Sequence, residues 1–222
     1  MIYVTGDIHG DRARLQKGPA ARLRKGDALV VCGDFGFLWS GSDEEKKLLH
    51  WIGRRKFNTL FVEGTHDNLD LLAGYPVEEL GGAPAHHLDG NLWHLMRGQV
   101  YTLQGQSILA LGGGHSDDYA QREAGQTWWP QELPREEELP RFREVLAAHD
   151  NQVDYVVSHQ APTNIEVCIT QRYEDVNLLV AFLDEVQRTC RFKGWFFGSY
   201  HQNRVVPPKY HCLYDKVQAI TE

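Results

Sequence analysis

The sequence predicts an α/β fold built around a parallel sheet. Short apolar runs at Ile2–Thr5, Ala28–Cys32 and 59–62 have the length and composition of buried parallel strands. Helical spacing at 11–23 and 43–56 separates these runs. Such alternation of strand and helix is the βαβ rhythm of a parallel sheet, whose ligands bind at the carboxyl ends of the strands.

The rest of the chain continues with shorter elements. Apolar runs at Leu92–Leu95, 100–103 and 107–111 are separated by glycine-containing turns, which predicts antiparallel strands. Beyond them the pattern predicts, in order, a helix at 135–149, a strand at 155–157, a helix at 175–190 and strands from 195–197 onward.

Length and charge limit the classes of function. A chain of 222 residues with 42% hydrophobic content can bury one sizeable core, so we predict a single domain over residues 1–222. The 30 acidic residues exceed the 23 basic ones, giving a formal charge of -7. This balance argues against broad binding to nucleic acid.

Cysteine spacing and hydropathy indicate the compartment. The four cysteines are widely spaced and form no C-x-x-C pair, which is typical of reduced thiols rather than a disulfide framework or zinc cluster. The first motif follows the apolar run at Met1 directly, and no apolar stretch reaches the roughly 20 residues that span a bilayer. We therefore expect a soluble cytoplasmic protein with no membrane partner.

Five short segments follow predicted strands and carry Asp or His. They are Gly6-Asp7-Ile8-His9-Gly10, Gly33-Asp34-Phe35, Gly64-Thr65-His66-Asp67, Ser158-His159 and Gly198-Ser199-Tyr200-His201. A single Asp-x-His is more often an ordinary polar loop than a ligand pair. In glycine-flanked turns, however, the two side chains can present oxygen and nitrogen to one cation, a set that suits Zn, Mn or Fe better than Ca or Mg. The series therefore points to a metal site.

These segments together resemble the calcineurin-like metallophosphoesterase superfamily. Its motifs run Asp-x-His, Gly-Asp, Gly-Asn-His-Asp/Glu, a lone His after a strand, and Gly-His-x-His, and the resemblance covers nearly the whole chain in that order. The resemblance implies an α/β fold of the αββα sandwich type, with two mixed sheets flanked by helices. It also implies hydrolysis of a phosphomonoester or phosphodiester by a metal-activated hydroxide, with a small phosphorylated substrate.

Carried over by position, the resemblance implies one complete metal site. Asp7, His9, Asp34 and His201 would hold this ion, and Asp34 would bridge to a second one. His159 would be a ligand of the second ion. We expect divalent manganese, with Fe, Zn, Ni or Mg as alternatives, because the same ligands accept several ions.

The same resemblance implies catalytic roles for the Gly64 segment. His66 would stand beside the substrate phosphate, where it could donate a proton to the leaving oxygen or stabilise its charge. Asp67 has two readings. It either orients His66 or caps the amino end of a helix over 68–73.

Two positions depart from the superfamily pattern. Thr65 replaces the Asn of the third motif and Ser199 replaces the first His of the last motif, and both missing side chains would bind the second ion. Hydroxyls are weaker donors than imidazole or amide oxygen, so we expect one firm site and a second that is weak or absent. Reduced activity would follow. The alternatives are a degenerate member that binds a phosphorylated ligand or protein partner without turnover, and a single-metal enzyme acting on another ester.

The least regular stretch, 112–133, has two interpretations. It is either a surface loop whose tryptophans pack it onto the core, or a wall of the substrate site. In the second case, His115 or Arg122 would contact phosphate oxygens and a tryptophan would stack on a flat group. A Gly-Gly-x-His/Ser turn followed by Arg and Trp-Trp-Pro also resembles a small bacterial and phage-type subgroup.

The remaining histidines match no motif. His86 and His87 adjoin two glycines and a proline, which predicts an exposed turn. His94 and the other isolated histidines are expected to be ordinary surface or core residues.

Overall fold

Two mixed β-sheets pack face to face, and helices cover their outer surfaces. The computed structural model of the protein describes residues 1–116, 118–172 and 176–220. The strands are β1 Ile2–Thr5, β2 Ala28–Cys32, β3 Asn58–Val62, β4 Val77–Leu80, β5 Ala83–Asp89, β6 Leu92–Leu95, β7 Gln99–Leu103, β8 Gln106–Leu111, β9 Tyr155–Ser158, β10 Gly194–Phe197, β11 Arg204–Val206, β12 Tyr210–Cys212 and β13 Gln218–Ala219. The helices are α1 Arg12–Gln16, α2 Asp43–Gly53, α3 Leu69–Ala73, α4 Leu139–Ala148, α5 Thr163–Thr170 and α6 Leu178–Thr189.

Each sheet has a parallel centre and antiparallel edges. The first sheet runs β13-β1-β2-β3-β6-β5-β4, with parallel pairing from β1 to β6. The second runs β11-β12-β10-β9-β8-β7, with parallel pairing from β12 to β8. The expected α/β sandwich of two mixed sheets is therefore confirmed.

Strand β2 shows how the layers are held together. Its five residues are all buried, because side chains that alternate across a strand meet a different layer on each face. Leu29 and Val31 join the helices α1, α2 and α3 in an outer apolar cluster. Val30 and Cys32 join the cluster between the two sheets.

On the outer face of the second sheet, α4, α5 and α6 form the other helical layer. Phe142, Ile165 and Phe182 from these helices pack with Trp195 and Phe197 of β10. The predicted start of the 175–190 helix falls on residues outside the described part of the chain, and α6 is described from Leu178. None of the described helices is both long and apolar enough to cross a membrane. Helix α5 has no counterpart in the predicted elements.

The helix predicted over 11–23 is wrong in its second half. Helix α1 ends after Gln16, since Lys17 is extended and Gly18 has a φ of 65°. Pro19 then begins a short 3₁₀ turn over residues 20–22. A glycine in the left-handed region followed by a proline stops helical hydrogen bonding.

The predicted antiparallel pairing of the middle strands is confirmed for β7 with β8, whereas β6 does not join them and pairs antiparallel with β5 instead. Strand β6 runs parallel to β3 in the first sheet, while β7 and β8 form an antiparallel hairpin in the second. The prediction of an exposed turn at His86 and His87 is also wrong. Both residues lie within β5, and Gly81 and Gly82, with φ of 57° and 86°, make the preceding turn.

Candidate metal centre

Three buried side chains meet at the carboxyl ends of strands from both sheets. Asp7 follows β1, Asp34 follows β2 and His159 follows β9, and their exposed fractions are 0%, 3% and 1%. Ionisable groups buried this deeply require charged or hydrogen-bonding partners. The fold thus brings these polar side chains together at one edge of the two sheets, as the position of each motif after a predicted strand indicates.

Asp7, His9 and His201 form a compact group of donor atoms. One ligand atom from each lies within 4.8 Å of the other two, with 2.9 Å between the two Nε2 atoms and 3.2 Å from His201 Nε2 to Asp7 Oδ2. Ligands at about 2.0–2.2 Å from one ion lie about 3 Å apart, so this spacing fits a shared cation. Burial lowers the pKa of His9, which favours the neutral imidazole that binds metals. Both histidines are exposed, so the group faces solvent.

Asp34 lies between several imidazoles. Its Oδ2 is 2.8 Å from His66 Nδ1 and 3.7 Å from His9 Nε2, and its Oδ1 is 3.5 Å from His159 Nε2. His9, Asp34 and His66 also present atoms within 4.8 Å of one another. His66, expected beside the substrate phosphate, therefore contacts the carboxylate expected to bridge two ions. This hydrogen bond raises the pKa of His66.

Thr65 and Ser199 contribute backbone groups to the centre. The Thr65 amide donates to Asp34 Oδ1 over 2.6 Å, and the Ser199 amide donates to Asp7 Oδ1 over 2.9 Å. The Thr65 hydroxyl lies 3.2 Å from His66 Nδ1. Each position therefore orients a carboxylate of the centre through its main chain.

Three glycines let the backbone approach these side chains. A Cβ added at Gly33, Gly64 or Gly198 would lie 2.1 Å from a nitrogen or oxygen of His159, Asp34 or Asp7, respectively. Such overlap is not tolerated, so the glycines of these motifs are required by close packing. The crowded donor set, held with no room for a methyl group, fits a metal ion better than a solvated polar loop.

Four of the eight described non-glycine residues with positive φ lie in the loops of the centre. His9, Asp34, Ser199 and His201 have φ of 49°, 45°, 69° and 47°. Side-chain-bearing residues rarely adopt these values, and each costs on the order of 1–3 kcal/mol. Clustering of such residues in one set of loops is typical of functional sites.

The two carboxyls of the centre titrate differently. Burial raises the pKa of Asp7, although the nearby His159 opposes this shift. Burial would also raise the pKa of Asp34, but His159 and the hydrogen bond from His66 outweigh it and hold that pKa well below its usual value. The carboxylates in turn outweigh burial at His159 and raise its pKa. Of the two carboxyls, Asp34 is therefore the more firmly ionised, and a carboxylate must be ionised to bind a metal ion.

Asp67 braces two of the motif turns. Its carboxylate accepts hydrogen bonds from the backbone amides of Phe35, Gly36 and Gly64 at 3.3, 2.8 and 3.0 Å. Burial, with the charge of Asp34, raises its pKa to about 6. The helix-cap reading of Asp67 is wrong, because Asn68 caps α3 through a bond from Leu71 N.

Arg122 brings a cation to the edge of the centre. Its guanidinium lies 3.0 Å from His66 Nε2 and donates to the Thr65 carbonyl over 3.0 Å. Asp118 pairs with Arg122 Nε at 2.7 Å and fixes the side chain from the other side. The irregular stretch 112–133 therefore places Arg122 at the edge of the centre.

The tryptophans and His115 take other positions. Trp129 is 1% exposed and donates from Nε1 to Asp70, so this tryptophan packs onto the core and cannot stack on a substrate. Trp128 is half-buried near Tyr119. His115 is exposed and lines a separate small cavity with Ser199.

Sequence reasoning missed a buried ionic network behind the centre. Glu63 accepts from Arg97 Nε and lies 2.8 Å from His94 Nε2, while His94 Nδ1 lies 3.0 Å from His86 Nδ1. Burial would raise the pKa of Glu63, but Arg97 and His94 outweigh it and hold that pKa well below normal. His94 is a core residue, as expected, and the pairing with Glu63 is what the sequence did not predict. The sequence contains one indication that Glu63 belongs near the centre, because this acidic residue directly precedes the Gly64 segment.

A family model matches most of the chain. Residues 1–203 match the family model described as calcineurin-like phosphoesterase. A solved structure of a Staphylococcus aureus protein assigned as a 5'-nucleotidase, in complex with alpha-ketoglutarate, matches at 15% identity with a TM-score of 0.49. That match covers 96% of this chain and 48% of the other, so the chain spans about half the length of that protein. The search of curated proteins gives no match. By the match over residues 1–203, the chain belongs to the calcineurin-like phosphoesterase family of metal-dependent phosphoester hydrolases.

Proposed function

We propose that this chain hydrolyses a small phosphomonoester or phosphodiester with a divalent cation held by Asp7, His9, Asp34 and His201. The observation that carries the proposal is the convergence of donor atoms from the β1 and β10 loops within 4.8 Å. A cation at that point would neutralise phosphate oxygens and lower the pKa of an attacking water. Manganese is the proposed ion, with Fe, Zn, Ni or Mg as alternatives.

Arg122 and His66 are the proposed substrate contacts beside the cation. A guanidinium binds phosphate oxygens through paired charged hydrogen bonds, and Arg122 lies 3.0 Å from His66 Nε2. With Nδ1–H of His66 donated to Asp34, Nε2 accepts from the Arg122 guanidinium; giving a proton from Nε2 to the leaving oxygen therefore requires the imidazolium form, with Arg122 turned onto the phosphate. We assign proton transfer at that oxygen to His66. Asp67 is the proposed positioning residue, because it holds the turns that carry Asp34 and His66.

A second cation would be weakly held. His159 and Asp34 remain as its proposed ligands, whereas Thr65 and Ser199 support the centre through backbone amides. Loss of side-chain donors lowers metal affinity, and even indirect partners change it by roughly 10- to 100-fold. The same observation favours the rival function, a member that binds a phosphorylated ligand or protein partner without turnover.

The test combines turnover with metal counting. Hydrolysis of p-nitrophenyl phosphate and of its bis-ester is measured with manganese, and bound metal is counted by mass spectrometry. We expect slow, metal-dependent turnover with one ion per chain, lost in Asp34→Asn. Thr65→Asn combined with Ser199→His should bring the count to two and raise the rate at least about tenfold.

Thr102→Asn on the exposed face of β7 serves as the matched control and should change neither quantity. Metal binding without hydrolysis in both forms would favour the binder. A chain that binds no divalent cation contradicts the proposal.

A further inference from the structure

A wide cavity lies beside the buried Glu63 network and apart from the metal centre. Its volume is about 640 Å³, within the roughly 300–1,000 Å³ of small-molecule sites. None of the proposed cation ligands lines it. We call it the Gln99 cavity, and its lining includes the polar residues Arg97, Gln99 and Arg141 and the apolar residues Leu69, Leu72, Met96, Leu133 and Phe142. A cavity of this size and lining suits a ligand with an apolar body and a polar head.

Gln99 presents an unpaired amide to this cavity. The residue is 7% exposed, and its side chain forms no hydrogen bond with any described residue. Among the described residues, the buried side-chain atoms that are both unpaired and closed to solvent are Thr59 Oγ1 and Gln160 Oε1. The Gln99 amide is therefore unpaired but accessible, and the cavity that it lines is the space it reaches. Unpaired amides in mostly buried positions are uncommon, and this one has two N–H groups to offer a ligand.

Arg97 offers a further donor to the same space. Its side chain is 10% exposed and lines the cavity. Its Nε donates to Glu63 Oε1 and its Nη2 donates to the Gln131 carbonyl oxygen, both over 2.8 Å. Its Nη1 has no partner among the described residues and is not closed to solvent. The guanidinium is therefore held in place by two of its nitrogens and is open to a ligand at the third.

Contact between Phe142 and Gly98 brings a second arginine to this wall. A Cβ added at Gly98, which lies between Arg97 and Gln99, would overlap Phe142 Cδ1. Arg141 directly precedes Phe142 and also lines the cavity. Three nitrogen-bearing side chains are thus gathered around one point of close packing.

The charges of the lining favour an anion. Three arginines line the cavity, against two glutamates, Glu63 and Glu138. Glu63 pairs with Arg97, and Glu138 pairs with Arg135. Within the described part of the chain, Arg141 forms no ion pair or hydrogen bond through its side chain. Its charge is therefore available to a ligand in the cavity.

We propose that the Gln99 cavity binds a small carboxylic acid with an apolar body, as its anion. The carboxylate would accept hydrogen bonds from Arg97, Gln99 and Arg141, since guanidinium groups match the paired oxygens of a carboxylate. The apolar body would lie against the leucines and Phe142. Burial lowers the pKa of His86 to about 4, so this lining residue is neutral at pH 7 and does not alter the charge balance. The inference goes beyond the proposed phosphoesterase function and does not depend on it.

Calorimetric titration of the full chain with 4-phenylbutyrate tests the proposal. The buffer contains EDTA, so that no carboxylate binds through a metal ion. We expect one site per chain with a Kd of about 1 mM or tighter. The uncharged 4-phenylbutanol should bind at least about tenfold more weakly, because it loses hydrogen bonds between charged groups. Acetate, which lacks the apolar body, should not bind in the same range. Absence of phenylbutyrate binding, or equal affinity for the alcohol or acetate, overturns the proposal.

Two variants locate the site. Gln99→Met and Arg141→Met each keep an extended side chain without its polar end, and each should weaken phenylbutyrate binding about tenfold. Arg54→Met removes an exposed arginine outside the lining and should keep the wild-type Kd. Arg97 is left in place, because its loss would leave Glu63 buried and unpaired. Wild-type affinity in either cavity variant, or an equal loss in Arg54→Met, overturns the proposal.

Thermal unfolding separates ligand binding from fold stability. Unliganded Gln99→Met should melt at the wild-type Tm or higher, because the substitution removes an unpaired polar group from a mostly buried position. Phenylbutyrate should raise the Tm of the wild type and raise that of Gln99→Met less, because a ligand stabilises the folded state in proportion to its affinity. A lower Tm of the unliganded variant would assign the amide to fold stability and overturn the proposal.

Discussion

Gly198→Ala is expected to weaken cation binding through steric overlap with Asp7. A Cβ at this position would lie 2.1 Å from Asp7 Oδ1 and 2.5 Å from the carbonyl oxygen of Cys32. The φ of Gly198 does not lie in the left-handed region, so alanine meets no backbone penalty there. The consequences of the change therefore come from packing against the Asp7 carboxylate, which the added methyl approaches more closely, and against the Cys32 carbonyl.

The size of the effect follows from the distance. Ordinary contact begins near 3.4 Å, so Asp7 Oδ1 would have to move by more than 1 Å from its 2.1 Å approach. Overpacking of a filled interior costs about 1–3 kcal/mol of stability. A ligand displaced by that distance should raise the Kd for manganese at least about tenfold, equivalent to about 1.4 kcal/mol.

Calorimetric titration with manganese chloride measures the affinity, and urea denaturation measures the stability. Gly26→Ala is the control, because Gly26 has a φ of 89° and no atom within 4 Å of the added Cβ. That variant should lose a little stability from backbone strain and keep the wild-type Kd. Wild-type affinity in Gly198→Ala would refute the assignment of Asp7 as a ligand in a rigid turn.

Two predictions concern groups away from the cation. Arg97→Met leaves Glu63 buried without its guanidinium partner and should cost about 3–5 kcal/mol in urea denaturation, whereas Arg141→Met at an exposed position should change stability little. An equal effect of the two variants would contradict the ionic explanation. Burial raises the pKa of Glu132 to about 7 from 4.5, so the folded state binds the extra proton and stability should fall as pH rises between these values. Glu132→Gln should remove a slope of up to about 1.4 kcal/mol per pH unit; an unchanged slope would show that Glu132 is not its source.

Local sequence patterns predict the parallel centre of the first sheet well. The run Ala28–Cys32 is apolar throughout because both of its faces meet a packed layer, and this requirement is visible without any partner. The end of α1 was also encoded locally, in Lys17-Gly18-Pro19, and the helical spacing to either side obscured it.

Pairing between strands is harder to read from a pattern. The run Leu92–Leu95 gives the same local signal whether its neighbour is parallel or antiparallel. Its parallel partner, β3, lies some thirty residues earlier in the chain. Hydrogen bonds between side chains that are distant in the sequence also leave no local pattern. Nothing near Glu63 in the sequence specifies Arg97 or His94 as its partners.

The glycine-flanked motifs predict which residues approach one another, but not every contact within the group. Close packing of Gly33 against His159 and of Gly198 against Asp7 gives the physical reason for the motif glycines. The contact of His66 with Asp34 and the unpaired Oε1 of Gln160 depend on side-chain rotamers that spacing does not determine.

The bond from Ser199 to Asp7 joins residues 192 positions apart, and β13 pairs with β1 beside it. Ordering such a long loop is entropically unfavourable until both sheets are in place, so we expect this junction to close late during folding. Manganese affinity in a refolding experiment will consequently report the final assembly of the chain, whereas far-ultraviolet circular dichroism will register the earlier appearance of helices and strands.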